Sequence, residues 1–177
     1  MVNRSSIPLD RLRLDPLTIW DKTWFLLTAG NFESGQFNTM TVSWGSLGTL
    51  WNKPMAQVFV RPTRHTYEFM ESADNFTLSA FSEKHRDALR LLGTRSGRDG
   101  DKVAETGLRP SPCSQVSSPG FEEAELVLEC RKIYWQDLDP QHFLDPSIEG
   151  EYPKKDYHRV YLGEILAAFG VEKYLRR

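Results

Sequence analysis

Asn38-Thr39-Met40-Thr41-Val42-Ser43-Trp44-Gly45 is the stretch on which the reading of this chain turns. Met40, Val42 and Trp44 fall on one face, and Thr39, Thr41 and Ser43 on the other. Alternation with period two is the pattern of a strand, and β-branched threonine suits a pleated surface. The same polar face can line a ligand. A planar heterocycle needs hydrogen-bonding partners along its polar edge and an apolar wall elsewhere. A strand that is simply half-solvated would read alike, so the neighbouring segments have to decide.

Outward from this strand, residues 23–28, 54–61, 75–81, 124–135 and 158–168 carry the same alternation or β-branched and aromatic content, and residues 38–46 complete the set. Gly30-Asn31 reads as a turn. Residues 63–72 read as a helix capped by Thr63, with Tyr67 and Met70 on one face. Residues 83–92 read as a second helix that turns Ala88, Leu91 and Leu92 to a core and stops at Gly93. Residues 101–106 add a short turn of helix, and 93–100 form a basic, glycine-rich loop. Two irregular stretches follow, 109–120 and 137–156, the latter an arm or lid. Many strands and few helices predict a mainly β (α+β) antiparallel barrel, with one domain over residues 1–177.

Length and composition agree. A chain of 177 residues buries roughly 70% of its unfolded surface, enough for a core without staples. Hydrophobic residues at 40% and charged residues at 26% describe a globular domain. The net charge of −2 and the absence of an aromatic-basic stripe argue against nucleic acid as partner. No apolar run reaches the length of a membrane span, and residues 1–15 lack the apolar centre of a signal peptide. Cys113 and Cys130 stand far apart without a CxxC pattern, which predicts a reduced, cytoplasmic protein. Cys130 reads as a core thiol, while Cys113, in a loop, is open to reaction. His65, His85 and His142 share no metal-ligand spacing, so no metal is expected.

Val60-Arg61-Pro62-Thr63-Arg64-His65-Thr66 carries the chemistry. Here a strand runs into a helix, whose free N–H groups and dipole favour an anion. Arg61 and Arg64 add two guanidinium groups suited to a phosphate, and Thr63 and Thr66 add hydroxyls. Arg98 and Lys102, in the basic loop and just after it, extend the same set. His158, at the start of the last strand, is a candidate proton donor or substrate contact. Neither GxGxxG nor the Gly-Lys-Ser/Thr end of a phosphate loop occurs, so no dedicated dinucleotide or nucleoside triphosphate fingerprint is present.

Together these segments resemble the flavin reductase-like family of FMN-binding split β-barrels, and most of all its flavoredoxin-type subgroup. The resemblance rests on the two segments quoted, on Leu50-Trp51-Asn52-Lys53-Pro54, on Tyr67-Glu68-Phe69, on Ser96-Gly97-Arg98-Asp99, on Leu128-Glu129-Cys130-Arg131, and on Tyr157-His158-Arg159-Val160-Tyr161-Leu162-Gly163-Glu164-Ile165. It spans roughly residues 15–168 and departs at His65, where the family often has an aromatic residue. It implies a homodimer with FMN near the subunit interface. Thr39, Met40, Thr41, Val42, Ser43 and Trp44 would lie along the flavin ring. Arg61, Thr63, Arg64, His65 and Thr66 would hold the phosphate, with Arg98 and Lys102 less closely matched, and His158 would stand at the flavin's open face.

The expected function is NAD(P)H-dependent flavin oxidoreduction, with NADH or NADPH as co-substrate and a small flavin or other acceptor. The flavin carries the hydride chemistry, and the protein orients it. An electron carrier with tightly held FMN, serving a redox protein partner, is the alternative. A ligand-binding barrel without catalysis is the third reading.

Overall fold

A computed structural model describes residues 2–176. Ten strands are present: β1 (Ser5–Ser6), β2 (Phe25–Asn31), β3 (Gln36–Val42), β4 (Gly45–Leu50), β5 (Lys53–Val60), β6 (Asn75–Ala80), β7 (Pro110–Ser111), β8 (Gly120–Phe121), β9 (Leu126–Asp137) and β10 (Arg159–Gly170). Two α-helices accompany them, α1 (His65–Ser72) and α2 (Arg86–Thr94), with short 3-10 turns and one π-helical turn (Ile19–Thr23). Seven strands form one antiparallel path in the order β3-β2-β6-β9-β10-β5-β4, and β1 pairs with β10. β7 and β8 form a separate two-stranded ribbon. The sheet does not close, because β3 and β4 lie at its two ends. The architecture is therefore a split β-barrel.

Alternation along the strands builds two cores. On β2, Phe25, Leu27 and Ala29 enter the main core together with Met40 and Val42 of β3. Leu26 points to the other face and joins Leu89 and Leu92 of α2, Phe81, Phe121 and Val127 in a second core. Period-two geometry sends successive side chains to opposite faces, so one strand can serve both. Cys130 is fully buried in the main core, as its apolar strand predicts.

Most element ends shift by one to three residues from the sequence reading, and four differences have a structural account. The expected strand over 38–46 divides after Val42, because the chain there leaves one end of the sheet for the other. Gly30-Asn31 is not the turn: β2 continues to Asn31 and the turn follows at residues 32–35. Thr63 does not cap α1, which starts at His65 with Arg64 in extended conformation and no capping side chain. Gly93 does not stop α2 but lies inside it. A Cβ there would meet the Thr41 Cβ at 3.1 Å, so the glycine lets the helix approach β3, where the Thr41 hydroxyl donates to the Leu89 carbonyl.

No helix among the described residues is long and apolar enough to cross a membrane.

Gly163 on β10 has no room for a side chain: a Cβ would fall 2.5 Å from Cζ of the fully buried Phe76 and 3.0 Å from Cβ of Cys130. Overpacking of a filled core costs about 1–3 kcal/mol. Gly163→Ala is expected to lower the urea midpoint with an unchanged m-value, and an unchanged midpoint refutes this packing account.

Candidate functional site

Two adjoining concavities contain most of the residues singled out in the sequence. The first, of about 80 Å³, is lined by Asn38, Thr63, Arg64, His65, Thr66, Thr94, Arg95, Ser96, Gly97 and Lys102. It lies where β5 hands over to α1 and where the end of α2 turns into the basic loop. The start of α1 supplies free N–H groups and a positive dipole end.

The electrostatics of this pocket are unbalanced. The Arg64 guanidinium donates to the Gly93 carbonyl, and Lys102 Nζ donates to the carbonyls of Leu92 and Arg95, each at 3.1 Å. Neither cation has a carboxylate partner within salt-bridge distance among the described residues. Burial lowers the Arg64 pKa from its ordinary value, and repulsion from Arg61 adds to it. Burial, with repulsion from Arg64, takes the Lys102 ammonium from 10.5 down to about 8. A buried cation without a counter-charge is costly, and an anion in the pocket would relieve that cost.

One further feature fits an oxyanion: Nδ1 of His65 is buried without a partner. Gly97 is closely packed here, since a Cβ would crowd the Asn38 side-chain oxygen and fall 2.9 Å from His65 Nδ1, so glycine lets the loop approach both side chains. Asn38 is itself fixed, its side-chain nitrogen donating to the Thr66 hydroxyl at 2.8 Å.

The second concavity, about 150 Å³, is a groove lined by Met40, Thr41, Val42, Ser43, Trp44, Phe59, Arg61 and His158. β3 is an end strand of the sheet path and pairs only with β2, so its other edge presents unpaired backbone N–H and C=O groups. Trp44 is 44% exposed and stands 5.1 Å from the His158 ring, centre to centre. His158 is buried, and burial with repulsion from Arg61 takes its pKa from 6.5 down to about 4, against the opposing pull of Asp156. Its imidazole is neutral at neutral pH.

The arm predicted at 137–156 folds over the far end of this groove. Arg61 pairs with Asp156 at 3.1 Å, donates to the Glu151 carbonyl at 2.9 Å, and lies over the Tyr152 ring. Arg61 therefore lines the groove and not the small pocket, against the expectation that both arginines grip one anion. Thr63 does line the small pocket, and its hydroxyl donates to Asp156 at 3.3 Å.

Two more expected residues are placed otherwise. Thr39 lies on the polar face, but its side chain is fully buried and its hydroxyl bonded to Thr28 Oγ1 and the Leu27 carbonyl, and it is not among the residues lining either concavity. Arg98 reaches back over α1 to Glu68 and to the Thr63 carbonyl, outside the pocket lining. The structure disfavours a reactive thiolate at Cys113: burial, then Glu129, pushes its pKa up to about 12. No group of three His, Cys, Asp or Glu suited to a metal occurs among the described residues.

Asn38, Phe59, Ser96 and Tyr152 are site residues that the sequence reading did not select. Asn38 and Ser96 lay inside segments it had quoted, and the Asn38 position one residue before the threonines was the available signal. Phe59 and Tyr152 reach the site only through tertiary contacts.

An open antiparallel barrel with a cationic pocket beside an edge-strand groove defines the class as a split β-barrel domain. A family model described as the flavin reductase like domain matches residues 22–172, and the chain belongs to that family. Among solved structures, the FMN-binding domain of a flavin reductases-like enzyme from Shewanella baltica superposes with a TM-score of 0.67 at 16% identity, covering 95% of this chain and 77% of that one. Flavoredoxin of Desulfovibrio vulgaris gives 0.67 at 22%, with 93% and 75% covered. The NADH:FAD oxidoreductase of Streptomyces globisporus gives 0.63 at 16%, with 82% and 74% covered. At these identities the likeness concerns the fold. No curated protein matches significantly.

Between about pH 8 and 10.5 the unfolded chain holds the Lys102 proton and the folded chain has lost it. The unfolded state binds more protons there, so this group makes stability rise with pH across that window. The stability of the wild type relative to Lys102→Met is expected to increase from pH 8 to 10.5 in urea titrations. A flat difference would show that Lys102 titrates normally in the fold.

Proposed function

We propose that the chain binds FMN and works as an NAD(P)H-dependent flavin oxidoreductase. The observation that carries the reading is the pair of cations, Arg64 and Lys102, that lack carboxylate partners in a phosphate-sized pocket. A phosphate monoester carries a charge of about −1.5 to −2 at neutral pH, which matches two cations. Thr63, Thr66, the unpartnered Nδ1 of His65 and the start of α1 would complete its hydrogen bonds.

The flavin ring would then extend into the adjoining groove. The open edge of β3 offers backbone partners to its polar side, while Met40, Val42, Trp44 and Phe59 offer the apolar wall. Bound there, FMN would supply hydride acceptance and release. The chain's own part is to anchor, orient and shield. His158 and Arg61 stand at the groove wall where an acceptor or the nicotinamide would approach.

Assembly as a homodimer fits the exposed aromatic residues Trp51, Tyr134 and Trp135, since large exposed apolar surface marks an interface. Residence in the cytoplasm fits two cysteines left as free thiols.

The purified protein should show, or acquire with added FMN, a two-banded flavin absorption spectrum that bleaches on anaerobic addition of NADH or NADPH. A bound flavin that bleaches with dithionite but not with nicotinamide marks an electron carrier instead. A chain that takes up no FMN refutes the reading. Arg64→Ala removes a charge-assisted contact worth about 1.5–3 kcal/mol and should weaken FMN at least tenfold in fluorescence titration. Unchanged affinity takes Arg64 out of the site.

A further inference from the structure

The arm carries one contact that the cofactor reading does not require. The Tyr152 hydroxyl lies 2.9 Å from Nδ1 of His158, in a buried setting. Tyr152 is 3% exposed. Its ring is held by Phe143, stacked at 6.0 Å, by Tyr157 at 5.0 Å and by the Arg61 guanidinium at 5.1 Å. Arg61 is in turn tied to Glu151 and Asp156. The phenol therefore has one position and, among the described residues, no hydrogen-bond partner besides His158.

That geometry fixes a proton. If His158 Nδ1–H donated to the phenol oxygen, the phenol's own proton would be buried without an acceptor, which costs about 1–3 kcal/mol. If the phenol donates to Nδ1, both groups are satisfied and the ring's proton is on Nε2. Nε2 has no protein partner among the described residues, yet it is not among the buried atoms that lack one. It keeps access to solvent, and the groove is the concavity that His158 lines.

We propose that Tyr152 is a positioning residue: it locks His158 in the Nε2–H tautomer and so makes the groove wall a hydrogen-bond donor toward a planar ligand with a carbonyl oxygen or sp² nitrogen at its edge. The identity of that ligand rests on the flavin reading, whereas the tautomer is a property of the chain alone. The neutral state of the imidazole agrees with its neighbours. The charged groups that face it, Arg61 and Asp156, are paired with each other, and Trp44 and Phe59 close the remaining sides at 5.1 and 6.4 Å.

The test is a long-range ¹H–¹⁵N histidine spectrum of the ¹⁵N-labelled, flavin-free protein at pH 7. The chain has four histidines, and comparison with His158→Gln assigns the signal. The wild type should show His158 as the Nε2–H tautomer in an excess about fivefold or more above that of a free imidazole, the equivalent of one ordinary hydrogen bond. In Tyr152→Phe the Nδ1–H tautomer should gain population, the ratio falling about fivefold toward that of a free imidazole. An Nδ1–H tautomer or an imidazolium in the wild type overturns the proposal, even if Tyr152→Phe fails to fold. So does an unchanged tautomer in a folded Tyr152→Phe. FMN is then added to the wild type. A moved Nε2 resonance supports the groove contact, and an unmoved one in protein that has taken up FMN, by absorbance, overturns it. A chain that takes up no FMN brings down the flavin reading and the groove contact with it, while the tautomer lock is judged on the flavin-free spectra.

Discussion

The two ends of the sheet path, β3 and β4, are joined by two residues, Ser43 and Trp44. This connection constrains everything else in the molecule. Two residues cannot span a flat seven-strand sheet, whose strands lie about 4.8 Å apart. The sheet must curl until its ends are near each other, yet they do not hydrogen-bond. The split is held open from within. Position 45 has no side chain because a Cβ there would lie 2.5 Å from Trp20 Cζ3 and 2.6 Å from the Gln57 carbonyl. Trp20, buried at 4% exposure, packs on Phe25 at 4.9 Å beneath this point. A closed barrel would have no edge to offer a ligand, and here the unpaired edge of β3 becomes a wall of the groove.

The same curl explains why anion pocket and groove adjoin. β5 pairs with both β4 and β10, so its C-terminal end brings Phe59 and Arg61 to the groove and then delivers the chain into α1. α2 lies against β3 through the glycine at 93, which places Lys102 and the basic loop opposite the start of α1. A ligand with an anionic tail and a flat head matches that juxtaposition without any dedicated binding domain. The chain as a whole is slightly acidic, at −2, while the pocket holds two cations without carboxylate partners. Overall charge bears on solubility and long-range steering, and the site is governed by local desolvation.

Much of this was legible in the sequence because it depends on period and on local chemistry. Six of the seven strands of the sheet path follow from alternation, β4 having gone unread, and the strand-to-helix segment at residues 60–66 follows from its arginines and threonines. What was not legible depends on partners distant along the chain. Thr39 and Thr41 share a strand face, but Thr39 meets Thr28 across β2 while Thr41 meets α2, so one face holds two environments. Gly93 has the appearance of a helix stop and is in fact a packing glycine, a distinction that only the proximity of Thr41 makes. Tyr152 sits in a stretch read as irregular, and its contact with His158 depends on the arm's path.

The division of labour between Arg61 and Arg64 shows the same limit in one turn of chain. Three residues apart at a strand-to-helix junction, the two guanidinium groups look equivalent to a phosphate. The fold separates them by giving Arg61 a carboxylate, Asp156 at 3.1 Å, and Arg64 only a backbone carbonyl. Pairing offsets part of the field of Arg61 at the groove, although its repulsion of His158 still exceeds the pull of Asp156, and it fixes the arm that holds Tyr152 over His158. Arg64 keeps its charge uncompensated at the pocket, where an anion has most to gain. Asp156 thus weakens the cationic character of the groove and leaves the pocket, whose cations have no carboxylate partner among the described residues, the stronger attractor. Burial is the largest single effect on its own carboxyl and raises its pKa, but the hydrogen bonds from Arg61, the backbone and Thr63, with the charge of Arg61, together hold it below the ordinary range. The pair therefore persists across neutral pH, and the two concavities keep their distinct electrostatic character over the range in which a flavin or nicotinamide would be handled.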